Sequence, residues 1–342
     1  MRCGKQRAAV LLVFFLSIVL SVRSAEDHLL VYKKKYIMGT VFEIAAYAQT
    51  SQNASVALDN AFREIVRIDD LLSNYKTDSA LSTLNRSAHF HAEQVPPDLY
   101  RVVEESVRFS RLSDGKFDIS IAPLVNLWKA AIAGEDPPSL ARQREARECV
   151  GYEKIKLTPP DQITFQSSCM RLDLGGIGKG YAVDRAAEVL RSSGIRNALI
   201  NAGGSTILAI GSPPGQTAWL VHLRDPSNKV DPQVMLKDES VSTSEQTGPS
   251  LLGNDSAGHI IDPDSGRPLK TEFAVSVIAQ TGAASDALST TSLLLGPVKG
   301  KALIDGMHGV SAIWISRDAE MKVVTGGPQI VFGKSSNLHS GK

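Results

Sequence analysis

Between residues 172 and 190 the chain reads LDLGGIGKGYAVDRAAEVL, with Gly175, Gly176, Gly178 and Gly180 set around Lys179. Four glycines let the backbone take positive φ and let a ligand or another backbone approach closely. The positions that follow, Val183, Ala186, Ala187 and Leu190, carry helical spacing, and Gly194 closes the pattern. A glycine loop feeding a helix start is a ready anion site, because the first N–H groups are free and the dipole is positive there. Lys179 adds a mobile cation. The same spacing also serves a plain strand-to-helix turn, so it leaves both readings open. Two familiar phosphate patterns fail here. In G-x-x-x-x-G-K-[ST], Asp173 would stand in the first glycine's place and Gly180 in the hydroxyl's. G-x-G-x-x-G would need a glycine at Tyr181.

The 342 residues suit one large domain or two intimate ones, and 43% hydrophobic residues support an ordinary core. A net charge of +1 lacks the basic footprint of a nucleic-acid binder. Residues 1–25 differ from the rest. Arg2, Lys5 and Arg7 precede the apolar run 8–20, and SVRSA then offers small residues for cleavage, the pattern of a secretory signal peptide. The run is shorter than the roughly 20 residues that span a bilayer; an uncleaved anchor is the alternative. Removing residues 1–24 takes away four basic residues and no acid, so +1 becomes −3. Cys3 leaves with that segment. Cys149 and Cys169 remain, to pair in an oxidising compartment or to stay free and buried.

Residues 26–342 read as one domain, with the loop-like stretch 133–147 as a possible hinge between subdomains. YIMGTVFEIAAYA (36–48) reads as a strand; 55–75 and 98–115 read as amphipathic helices, and 78–85 as a helical turn opened by Asp78. After the glycine stretch come short strands at 197–204, 206–211 and 219–226, a strand-to-turn segment at 259–269 and a strand at 273–279. A helix over 285–296, capped by Ser285 and stopped by Gly296, precedes a closing hairpin. Strands cluster and helices come in blocks, which favours α+β: mixed, largely antiparallel sheets with packed helices.

SDALSTT places Asp286, Ser289 and Thr290 at i, i+3 and i+4 near a helix start. Carboxylate and hydroxyl oxygens suit a hard cation such as Mg2+, which also binds substrate phosphates; a solvated helix cap is the plainer alternative. His259 opens an otherwise apolar strand and reads as a structural hydrogen-bonder or a proton acceptor.

In order along the chain, YIMGT, LLSNYKTDSALSTLN, SDGKFDISIAPLVNLW, DLGGIGKGYAVD, NAGG, HIIDPDSGRP and SDALSTT together resemble the ApbE family of FAD:protein FMN transferases, from about residue 30 to 330. The resemblance implies a T-fold-like architecture. It also implies an enzyme that uses Mg2+ and FAD, transfers FMN to a Thr or Ser hydroxyl of another protein through a phosphoester, and releases AMP. Implied partners are acceptor proteins with a Thr/Ser flavinylation motif, membrane redox subunits or exported flavin carriers, which suits a periplasmic enzyme. Carried over by position, Met38, Tyr75, Lys116, Phe117, Asp118, Asp173, Lys179 and Ile260 should meet FAD. Asp286, Ser289, Thr290 and a carbonyl of Gly175 or Gly176 should hold the metal, although some members have Asp where this chain has Ser289 and Glu where it has Lys179. His259 and Asp286 are the candidate bases, His259 the favoured one. TGAAS (281–285) partly matches the motif the family modifies, but Ile278 and Ala284 break it, so modification of Thr281 is not expected. Alternatives are an FAD pyrophosphatase, with water replacing the acceptor hydroxyl, and a non-catalytic FAD-binding protein.

Overall fold

The computed structural model describes residues 29–132, 136–246, 259–324 and 330–333. The signal-peptide reading of residues 1–25 and the start of the proposed hinge at 133–135 lie outside them.

The first segment is a hairpin rather than one strand. β1 (Leu29–Ile37) and β2 (Thr40–Ala48) pair antiparallel, and Ile37 faces Thr40 across a two-residue turn. Both turn residues, Met38 and Gly39, have positive φ, at 52° and 73°. Such a turn matches the right-handed twist of the flanking strands. Glycine accepts this conformation freely; for methionine it is strained.

α1 (Ser51–Leu72) follows, capped by Thr50, and buries Ala61, Ile65, Ile68 and Leu72 along one stripe. α2 (Ala80–Ser87) is capped by Ser79, not by Asp78. Then come β3 (Glu93–Gln94), α3 (Pro97–Leu112), α4 (Ala122–Ile132) and α5 (Leu140–Glu148). Much of the stretch taken as a hinge is therefore helical; Ser139 caps α5, which buries none of its residues. β4 (Ile155–Thr158) and β5 (Gln162–Phe165) join β3 in a small sheet. The glycine stretch leads into α6 (Gly178–Ser192). β6 (Asn197–Ala202), β7 (Thr206–Ile210), β8 (Trp219–His222), β9 (Asp231–Leu236) and β10 (Ser240–Glu245) follow. The HIIDPDSGRP segment makes a two-strand ribbon of β11 (Ile261–Asp262) and β12 (Arg267–Pro268). β13 (Phe273–Ala279), α7 (Gly282–Asp305), β14 (Ser311–Ser316), β15 (Met321–Val324) and β16 (Ile330–Gly333) complete the order. Thr281 caps α7, and Gly296, with φ 69°, interrupts it ahead of Pro297.

Eight strands form one antiparallel sheet in the order β1-β2-β6-β7-β10-β13-β14-β15. Helices α1, α6 and α7 cover one face, burying Phe42, Ile44, Leu58, Ile65, Ala186 and Leu190. Each large side chain there contributes about 1.5–3 kcal/mol of burial free energy. A second sheet, β8-β9-β16, covers the middle of the other face through Trp219, Val221, Val234 and Leu236 against Ile278, Ile313 and Ile315. β14 is consequently buried at every position, whereas the edge strand β1 is mostly exposed. α4 and the β11–β12 ribbon share a third cluster, Leu124, Trp128 and Ile261, and Trp128 Nε1 donates to the Gly266 carbonyl at 2.7 Å. Cys149 and Cys169 are joined as a disulfide, which ties the end of α5 to the segment leading into the glycine stretch.

Candidate active site

The glycine stretch is fixed before it turns. Asn85 of α2 treats Leu172 as a neighbouring strand would, accepting from its N–H at 2.7 Å and donating to its carbonyl at 3.0 Å. Asp173 donates its N–H to the Ile119 carbonyl at 2.7 Å and accepts the Gly175 N–H on its carboxylate at 2.7 Å.

Helix α6 then begins with no side-chain cap of its own. Its free amide at Gly180 is taken by Asp286 of α7, at 2.9 Å. The exchange is mutual. Asp184 of α6 accepts from the first amides of α7, Gly282 at 2.6 Å and Ala283 at 2.8 Å. Each helix thus places a carboxylate on the positive end of the other. The two starts touch backbone to backbone, since a Cβ added at Gly180 would lie 2.1 Å from the Gly282 carbonyl oxygen. Two of the glycines that dominate the sequence therefore have distinct purposes: Gly180 admits a second helix, while Gly176 lines the cavity side.

Around Gly176 and Gly178 the expected residues converge. A Cβ on Gly176 would sit 3.1 Å from Phe117 Cε2 and 3.6 Å from Thr290 Oγ1; one on Gly178 would sit 3.7 Å from Met38 Cε. The strained hairpin turn thus delivers Met38 to the start of α6. Thr290 Oγ1 and Ser289 Oγ share Ser244 Oγ of β10, at 3.1 and 2.8 Å. Ser289 is fully buried and also donates to the Asp286 carbonyl at 2.9 Å, so its hydroxyl is engaged on two sides. Three serines at period two on β10, Ser240, Ser242 and Ser244, meet Ser285, Ser289 and Thr290 of α7 as a ladder of hydroxyls. Ser285 belongs to this ladder rather than capping the helix.

Burial pushes the Asp286 carboxyl above its ordinary range, while Lys179 and the Gly180 N–H oppose that shift. Burial also pushes Asp184 up, to about 7, with Glu105 and Glu188 adding to it against the two amides. His259 keeps exposed surface, yet desolvation by the surrounding atoms and the Lys179 charge hold it below its ordinary 6.5, against Asp173. His259, Lys179 and Asp173 therefore feel one another electrostatically, at the same wall as Asp286.

The remaining expected residues frame this centre. Lys116 pairs with Asp262 and Asp264 of the ribbon, both at 2.7 Å; burial opposes its charge, but the two carboxylates outweigh that and raise its pKa. Asp118 turns inward, accepting from Ser120 N–H and hydroxyl and from the Tyr152 N–H. Its carboxylate serves the loop. Ile260 is held by buried Gln246, whose amide accepts from the Ile260 N–H at 3.1 Å and donates to the carbonyls of Ile260 and Leu269 at 3.0 and 3.1 Å. Tyr75 stands at the surface, 87% exposed with Lys129 Nζ 5.2 Å from its ring centroid. It follows Asn74, which accepts from Asn85 and so ties it to the glycine wall. Sequence reasoning missed Asn85, Asp184, Ser244 and Gln246. Only Ser244 had a legible signal, the period-two serines of SVSTSEQ.

The donor set fits a hard divalent cation: the Asp286 carboxylate, the Thr290 hydroxyl and the nearby Gly176 carbonyl are all oxygen. Among the described residues no cluster of three or more His, Cys, Asp or Glu side chains forms a metal cage.

An antiparallel α+β fold with a lysine and hard oxygen donors on a glycine wall defines an enzyme site for a phosphate-bearing substrate. The chain belongs to the ApbE family, whose model matches residues 38–314. It is 28% identical to the FAD:protein FMN transferase of Treponema pallidum, over 86% of each chain. It is 28% identical to that of Escherichia coli, over 83% of each. Among solved structures it is similar to the Pseudomonas stutzeri flavinyl transferase ApbE in its apo form. That match has a TM-score of 0.76 and 26% identity, covering 90% of this chain and 96% of the other.

Proposed function

We propose that this chain transfers the FMN half of FAD to a Thr or Ser hydroxyl of an acceptor protein, with AMP as the leaving group. The observation that carries the reading is the crossing of α6 and α7 at Gly180 and Gly282. It gathers Asp286, Thr290, Lys179 and the glycine wall in one place. Met38 and Phe117 border that wall with apolar surface suited to the flavin end.

The acceptor oxygen attacks the phosphorus on the FMN side, the bond to the bridging oxygen breaks, and that oxygen leaves with AMP. His259, held largely neutral at pH 7, takes the hydroxyl proton. Lys179 neutralises charge on the pyrophosphate oxygens. Asp286, Thr290 and the Gly176 carbonyl would hold Mg2+, which when bound withdraws charge from the phosphoryl oxygens and the departing AMP. Ser289 and Ser244 keep Thr290 in its rotamer, and Gln246 fixes the segment that carries His259.

Export is part of the proposal. The leader pattern of residues 1–25 and the Cys149–Cys169 disulfide both suit an oxidising compartment. Acceptors are then exported proteins or membrane redox subunits.

The test is mass spectrometry of exported candidate proteins incubated with the full chain, FAD and Mg2+. An FMN added at a Thr or Ser supports the proposal. Free FMN and AMP with no modified protein would reveal a pyrophosphatase instead; intact FAD under all conditions would leave a binding protein. Asp286→Asn keeps an acceptor for the Gly180 N–H yet removes the charge, and should lose transfer while still binding FAD.

A further inference from the structure

The transferase reading requires a protein substrate, and the fold offers it a track. β1 is the edge of the eight-stranded sheet, and among the described residues nothing pairs with its outer side. The two-residue turn makes Ile37 and Thr40 the first bonded pair, so bonding alternates back along the strand. The main-chain groups of Leu30, Tyr32, Lys34 and Tyr36 therefore point away from β2. Beside that free edge lies α1. Between them runs a groove of about 600 Å³, lined by Lys33, Lys34 and Lys35 of β1 and by Val56, Asp59 and Arg63 among the α1 residues.

Its charge is one-sided. Asp59 pairs with Lys33 at 2.6 Å, which leaves Lys35 and Arg63 as groove cations, while Lys34 contributes the strand edge and its side chain stands on the opposite face, across from Glu43. Lysines on a bare edge repel a second copy of the same edge, and so discourage self-pairing. They favour an acidic strand instead. The groove also leads somewhere. The seven residues 30–36 span roughly 20 Å, and the strand ends at Ile37, next to Met38, which lies beside the α6 start at Gly178.

We infer that the acceptor protein docks here through an extended acidic segment, which adds to β1 as a further strand and is guided along it to the site at Met38. The inference rests on the transferase reading for the identity of the partner. A strand edge flanked by a helix is a general arrangement for such addition: main-chain bonds give affinity, and side-chain pockets give selectivity.

The full-length chain is titrated with a fluorescein-labelled peptide repeating Asp-Val-Glu-Thr, followed by anisotropy. A peptide repeating Lys-Val-Lys-Thr serves as the charge control. Lys34→Pro removes an outward N–H that β2 does not use, while Lys34→Ala removes only the charge, and Arg63→Glu reverses a groove cation without touching the strand. Binding of the acidic peptide alone is expected, weakened by about tenfold or more in Lys34→Pro and Arg63→Glu and by less in Lys34→Ala. Melting temperature and FAD affinity should stay at wild-type values. With an acceptor that gains FMN, the same variants should raise KM in parallel and spare kcat. Failure of the wild type to bind the acidic peptide overturns the inference, as does equal binding by Lys34→Pro and Lys34→Ala together with an unaffected Arg63→Glu. Wild-type binding to phosphatidylglycerol vesicles that Arg63→Glu abolishes, with no peptide binding, assigns the patch to a membrane. A concentration-dependent dimer lost in Lys34→Pro assigns it to a second copy. A chain that binds the peptide but flavinylates nothing refutes the transferase reading and the partner named here.

Discussion

Gly180→Ala tests the crossing of the two helix starts with a single methyl group. The added Cβ would lie 2.1 Å from the Gly282 oxygen, 2.5 Å from the Gly282 carbonyl carbon and 2.8 Å from the Ala283 nitrogen. All three are main-chain atoms, so no rotamer change relieves the clash. Non-bonded heavy atoms settle near about 3.5 Å, and the helix starts must part by more than about 1 Å. Overpacking of this kind costs about 1–3 kcal/mol. The gain from replacing a helical glycine returns roughly 0.5–1 kcal/mol. A net loss of about 1–2 kcal/mol is expected, seen as a drop of several degrees in Tm. Separation also stretches the 2.9 Å bond from Gly180 to Asp286 beyond hydrogen-bond range. A displacement of about 1 Å at a reacting centre can cost about a hundredfold in rate. Gly178→Ala is the matched control for stability. It lies on the same helix, but its Cβ meets only the flexible end of Met38 at 3.7 Å, and its Tm should hold or rise. Melting curves and FMN transfer to a candidate acceptor measure both effects. If Gly180→Ala melts with the wild type and transfers FMN at the same rate, the crossing is not what assembles the site.

Chelation of divalent metal should abolish FMN transfer, and added Mg2+ should restore it, because the Asp286 carboxylate adds to the negative charge of a pyrophosphate and Lys179 alone does not offset both; persistence of transfer in chelator refutes the metal assignment. Burial and Lys179 hold His259 below 6.5, so the base is already neutral above that range. The rate should rise with pH only on the acid side of 6.5 and flatten above it, and His259→Gln should remove the acid limb from a profile of kcat against pH. Asp184 gives a stability prediction. Its folded carboxyl sits at about 7, above the ordinary value of 3.8, so its contribution is fully present below pH 3.8 and is lost as pH rises through 7. The stability of the wild type relative to Asp184→Asn should therefore fall from pH 5 to pH 8 in denaturant titrations; a constant difference contradicts the burial argument.

Much of this architecture could be read in the residues, and the failures share a cause. α1, α3, α6 and the later strands were legible because apolar periodicity reports directly which face is buried. α5 was not, since it buries nothing and so carries no such period; only Ser139 marked it. The hairpin at Met38 was hidden because methionine is not a turn residue, and the tertiary contact with Gly178 holds it where local preference would not. Lys179, His259, Asp286 and Thr290 stood out by chemistry and spacing, Met38, Phe117 and Asp173 by resemblance, and the structure brings all of them to one wall. What it adds are groups that act on backbone far away in sequence, Asn85 on Leu172 and Gln246 on Ile260 and Leu269. No spacing rule reveals those, because the partner is a peptide group that every residue has. Asp118 shows the converse: its position was expected, but its carboxylate faces the loop interior.

The mutual capping of α6 and α7 has a consequence for how the chain folds. The amides of Gly180 in α6 and of Gly282 and Ala283 in α7 gain their acceptors only when residues about a hundred positions apart have met. Local structure alone cannot therefore assemble the catalytic wall; it forms only with long-range closure, which is the slow part of folding. A nascent or unfolded chain therefore holds no assembled wall on which the proposed chemistry could run. The amides of Gly180, Gly282 and Ala283 should accordingly exchange with deuterium as one unit, at the rate of global opening.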